Sequence, residues 1–142
     1  MSFLDHSIGY SINMSGLLLK RELFAAFKAK GFDVTPEQWA LLSRLNENDG
    51  ISQNELAQVT FKDNANITRI VDKLVVKRLV NKVDDDSDGR ASKIMITKAG
   101  RKLVTQLQSL AANVLEKATK GLTKDQVSQA NSVIQKIMKN LH

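Results

Sequence analysis

The chain has 142 residues, 21 Lys plus Arg against 15 Asp plus Glu, and no cysteine. That length suits one domain with its own core, and the missing cysteines exclude disulfides, thiolate zinc sites and thiol redox switches within it. A formal charge of +6 and a pI near 9.7 point to a polyanionic partner, most simply nucleic acid.

The first predicted helix runs from near Phe3 to Lys30 and stops at Gly31; Gly9 and Gly16 weaken its first half. In VTPEQW, Thr35 caps a second helix over 36–46. Pro36 stands at its first position, Gln38 closes a capping box, and Val34 and Trp39 form the staple. ISQNEL repeats the box with Ser52 and Glu55 and opens a short helix over 53–60. A turn at Thr60-Phe61-Lys62 leads to a fourth helix over 63–77, making a helix-turn-helix candidate. Ile67, Ile70, Val71 and Leu74 follow i, i+3, i+4, i+7 and face a core. The opposite face holds Ala65, Arg69, Asp72 and Val76, flanked by Lys62, Asn66, Thr68 and Lys73. Arginine can grip guanine with two bonds and asparagine can grip adenine, so this face suits a major groove.

LVNKV and KIMIT then read as two short strands of a hairpin whose tip is DDDSDGR, residues 84–90. The spacing of Asp84, Asp86, Asp88 and Gly89 copies the first half of a calcium loop. Position twelve is Met95, however, which cannot ligate, and no helix pair flanks the segment. His6 and His142 lie at opposite ends of the chain, so no metal and no cofactor is expected. A solvated turn explains the acids but not Arg90. A finger braced by Asp88 and tipped by Arg90 fits a minor groove. Residues 62–102 hold eleven cations against six acids, and so carry five of the six net charges. A fifth helix over 98–119 ends at Gly121, and Thr123 with Gln126 caps a sixth over 124–141.

The order helix-turn-helix then hairpin is a winged helix, and here the sequence resembles the MarR family of multiple-antibiotic-resistance-type regulators. DGRASKIMITKAG, residues 88–100, is similar to that family's wing pattern, and ITRIVDKLVVKRLV, residues 67–80, resembles its recognition helix and first wing strand. Three positions depart from the pattern: Ile96 stands for Leu, Arg78 for the Gly after the recognition helix, and Val76 faces outward. The resemblance implies a mainly α fold. A winged helix-turn-helix over 35–100 would be joined to helical dimerisation segments over 1–34 and 101–142. It implies a homodimer that binds palindromic double-stranded DNA operators, with Arg69 reading major-groove bases, Arg90 in the minor groove and Asp88 supporting the wing. Lys62, Asn64, Asn66, Thr68 and Lys73 complete the expected DNA-binding set. It further implies a repressor relieved by a small aromatic or phenolic effector bound between the dimerisation and DNA-binding regions.

Val127, Val133, Ile134, Ile137, Met138 and Leu141 line one face of the sixth helix and are the expected dimerisation residues, beside apolar stripes on the first and fifth. No phosphate loop, nucleophile elbow or dinucleotide pattern is present, so an enzyme is not expected. A winged helix used for protein contact or for RNA shape is the alternative. No apolar run approaches the roughly 20 residues that span a bilayer, and MSFLDHSIGYS lacks the form of a secretory signal. A cytoplasmic protein, associated with the nucleoid when on DNA, is expected.

Overall fold

A computed structural model describes residues 2–84 and 92–142. Among these the chain forms α1 (Ile8–Ala29), α2 (Pro36–Glu47), β1 (Ile51–Ser52), α3 (Gln53–Val59), α4 (Asn64–Val76), β2 (Val80–Asp84), β3 (Ser92–Ile96), α5 (Lys98–Ala118) and α6 (Lys124–Leu141). The strands make a three-stranded antiparallel sheet in the order β1-β3-β2. This is a mainly α winged helix-turn-helix with long helices at both ends of the chain. No helix among the described residues is long and apolar enough to cross a membrane.

The helix starts form where capping chemistry places them. Thr35 with Gln38 and Thr123 with Gln126 make complete reciprocal boxes. At Ser52 only half the box forms: its hydroxyl accepts from the Glu55 N–H at 3.1 Å, without a return bond from Glu55. Helix α1 starts later than the sequence suggests. A 3-10 turn over Leu4–His6 precedes it, and Ser7 then caps the helix, accepting from the Tyr10 N–H. Thr97 caps α5 by accepting from the Gly100 N–H at 3.0 Å.

Two clusters form the core. The larger joins α2, α3, α4 and the sheet through Leu42, Leu45, Leu56, Ile67, Val71, Leu74, Val80 and Ile94. All four residues of the expected α4 stripe are buried in it. The smaller joins Phe27, Val34 and Leu107 with Trp39 and Leu103 packed against them, and so fixes α1 and α5 to the winged unit. The α5 stripe is therefore spent largely inside the chain, with Val104, Leu107, Ala111 and Val114 buried. Helix α6 has no buried residue.

Strand β1 was not anticipated. It pairs Ile51 with Ile94 and Ser52 with Lys93, adding an edge to the hairpin. Two residues are too short for a readable alternation, and Ser52 also serves as a helix cap, so the local pattern reports only the helix.

Candidate nucleic-acid interface

Helix α4 is two-sided. Its buried stripe leaves Asn64, Arg69, Asp72, Lys73 and Val76 exposed on the other faces, with Asn66 and Thr68 half-buried. Asp63 caps the helix, accepting from the Asn66 N–H at 2.7 Å. The Asn66 side-chain amide also donates to Asp63 at 3.3 Å, and its carbonyl oxygen accepts from Arg69 Nη2. Asp63, Asn66 and Arg69 thus form a chain along the first turns, which holds the guanidinium out on the exposed face. Thr68 is more committed than its type suggests. Its hydroxyl accepts from Gln53 Nε2 at 2.7 Å and donates to the Asn64 carbonyl at 2.8 Å, tying α3 to α4. Lys62 is half-buried beside the turn, and Lys73 is exposed. Asp72 pairs with Lys82 of β2 at 3.6 Å. Val76, 82% exposed, faces outward as the sequence indicates, and nothing in the structure explains it.

Helices α3 and α4 are joined through Phe61 at φ 55, a left-handed conformation in a bulky residue. Its ring meets that of His142 edge-on, 5.1 Å between centroids. After α4, Arg78 is also left-handed, at φ 61. The glycine that the family pattern carries here matches that conformation, and arginine occupies it at a cost of about 1 kcal/mol.

The root of the wing is fixed by residues that the sequence reading missed. Asp49 Oδ1 accepts from the backbone N–H of Gly50 at 3.0 Å and of Ile96 at 2.9 Å. Its Oδ2 accepts from Arg101 Nη2 at 2.9 Å, and Arg101 Nη1 donates to Asn46 at 2.9 Å. One carboxylate therefore clamps the α2–β1 turn, the end of β3 and the start of α5. The available signal was Asn48-Asp49-Gly50, a turn in which aspartate bonds its own backbone; its partners 47 and 52 residues away carry no local signature. Gly100 is required by space: a Cβ there would lie 2.4 Å from the Leu79 carbonyl oxygen and 2.7 Å from Ile96 Cγ1.

Asp88, Arg90 and the calcium-like spacing from Asp85 onward lie outside the described residues. Among the described residues no group of three His, Cys, Asp or Glu could hold a metal ion.

A cleft of about 380 Å³ opens between α1, α2, the α3–α4 turn and the end of α6. Pro36, Ala40, Leu41, Val59, Phe61 and Met138 give it apolar walls, and Lys20, Arg44 and Lys62 give it positive charge. Glu37 also lines it and pairs with Lys20. That hydrogen bond lowers the Glu37 carboxyl pKa; burial opposes it, and the charges of Lys20, Lys62 and Arg69 assist it.

The MarR family pattern matches residues 32–91. The transcriptional repressor IacR of Pseudomonas putida is 28% identical over 132 residues, which span 93% of this chain and 72% of that protein. A cysteine-to-serine variant of Escherichia coli MarR, solved with operator DNA, superposes with a TM-score of 0.85 at 25% identity, covering 96% of this chain and 99% of that one. The chain is similar to MarR-family regulators, in sequence over its winged-helix part and in fold over nearly its whole length. That similarity supports a DNA-binding transcriptional regulator, and the relatives it resembles are regulators rather than enzymes. A probable transcriptional regulator from Pseudomonas aeruginosa, 27% identical with a TM-score of 0.82 and 94% and 98% of the two chains covered, has the same fold.

Proposed function

We propose that this chain is a MarR-family repressor that binds palindromic operators as a homodimer and is released by a small aromatic or phenolic effector. The observation that carries the DNA reading is the two-sided α4: one face locked in the core, the other presenting Asn64, Asn66, Arg69 and Lys73 beside the wing. In this reading Arg69 and the two asparagines meet base edges, while Lys62 and Lys73 meet phosphates. Thr68 supports α3 first and offers its remaining surface to the groove. Arg90 enters the minor groove and Asp88 supports it. Residues 35–100 form the DNA-binding unit, and residues 1–34 and 101–142 form the dimerisation region.

A second copy is the natural cover for α6. Val127, Val133, Ile134, Met138 and Leu141 are exposed along it and Ile137 is only half-buried. Leu17, Leu18 and Phe24 of α1 are exposed as well. Contiguous apolar surface of this kind marks an interface, and a two-fold pairing would set two recognition helices about one DNA turn apart. The cleft has the size of a small-molecule site, and its cations favour an acidic ligand.

A duplex shift assay tests this reading. With roughly 6–10 phosphate contacts, affinity falls about 10³–10⁵-fold between 50 and 200 mM salt. Salt-insensitive binding, or a preference for RNA over duplex DNA, favours the interaction-module alternative instead.

A further inference from the structure

Lys77 is a cation at the C-terminal end of α4, yet its ammonium turns back toward α2. It donates to Gln38 Oε1 at 3.3 Å and to the Asp33 carbonyl, and lies 3.9 Å from the Asp33 carboxylate. Its side chain is 30% exposed. Gln38 is 5% exposed and is the buried polar residue among those described. The same Oε1 also accepts from the Thr35 N–H at 3.2 Å, closing the cap of α2. One residue on, the Arg78 carbonyl accepts from the Thr97 hydroxyl at 2.9 Å, at the cap of α5. The C-terminal end of α4 is thus held between the first turns of two other helices. Its N-terminal end, which carries Asn64, Asn66 and Arg69, makes fewer such ties.

We propose that Lys77 and Gln38 are positioning residues that set the angle of α4, and that Lys77 makes no contact with DNA phosphate. The proposal rests on reading α4 as the recognition helix. Helix α4 has 13 residues and is therefore roughly 20 Å long. A tilt of about 10° at Lys77 moves its first turn by roughly 3 Å, a whole hydrogen-bond length. Base contacts do not survive such a shift, whereas phosphate attraction does, because it falls off slowly with distance. The anchor therefore governs the ratio of specific to non-specific affinity rather than overall affinity. It also reaches the effector cleft: Glu37, adjacent to Gln38 on the first turn of α2, lines that cleft and pairs with Lys20.

The test compares Lys77→Met, Gln38→Leu and the double variant on a duplex selected by the wild-type protein and on a scrambled one, across a salt series. Lys77→Met is expected to lose about tenfold in affinity for the selected duplex, with scrambled-duplex affinity and salt slope unchanged. Gln38→Leu, which removes a side chain that cannot reach DNA, is expected to reproduce that loss. The double variant should be no worse than either single one. Thr35→Val breaks the same cap but leaves Oε1 for Lys77; it should lower the melting temperature without changing the affinity ratio. A salt slope reduced by about one for Lys77→Met, with both duplexes weakened alike, makes Lys77 a phosphate contact and overturns the proposal. Additive losses, or no loss in either single variant, overturn it too. Wild-type protein that selects no duplex sequence removes the DNA reading itself and the proposal with it.

Discussion

Arg78 holds a left-handed backbone at φ 61, just after α4. Arg78→Gly is expected to raise stability by about 1 kcal/mol through relief of the Cβ clash, visible as a melting temperature a few degrees higher. Gly100 is the reverse case. Gly100→Ala forces a Cβ to within 2.4 Å of the Leu79 carbonyl oxygen, a backbone atom that cannot step aside. A loss of about 1–3 kcal/mol is expected, read by denaturant unfolding. Glu37 gives a pH signature. Its folded pKa is lowered, chiefly by Lys20. Its contribution is therefore present above the ordinary carboxylate range and is lost as pH falls through the lowered value. The stability gap between wild type and Glu37→Gln should close on acidification below about pH 4. A gap that stays constant with pH would show that the pair contributes nothing.

At the scale of elements, the wing root is the part most exposed to test. Asp49→Ala removes an acceptor for two backbone N–H groups and for Arg101. Simple electrostatics favours tighter DNA binding when an acid is lost from a basic region. A clamped wing gives the opposite sign: weaker binding, most of all to sites with A·T-rich flanks. Affinities at one fixed salt concentration separate the two. The same contrast applies to Asp88, the proposed wing support: Asp88→Ala is expected to weaken binding despite the removed charge. These elements also show what a sequence discloses. Thr35, Ser52 and Thr123 announced their helices because caps act over three residues, and the α4 stripe announced itself through its period. The conformation at Arg78 was foreshadowed by the family's glycine. Strand β1, the Asp49–Arg101 tie and the Lys77–Gln38 contact were hidden because each joins residues more than 35 positions apart, and no local spacing encodes such pairing. The 3-10 turn before α1 was missed because Ser7, its breaker, sits in an otherwise helical pattern.

For the whole molecule, the proposed reading joins the exposed apolar face of α6 and the basic face of α4 in one design, the first pairing two chains and the second reading two half-sites. In that reading Arg69 carries the base-reading part. Arg69→Ala should cost about 1–3 kcal/mol and relax preference at one or two positions in each half-site. The most direct measurement is selection of bound sequences from random duplex DNA, run in parallel for wild type and Arg69→Ala. The expected result for wild type is a two-fold symmetric motif with half-sites about one helical turn apart, and for Arg69→Ala the same motif loosened at symmetry-related positions. A wild-type pool without an enriched motif, or a motif that Arg69→Ala leaves unchanged, contradicts recognition of an operator through α4.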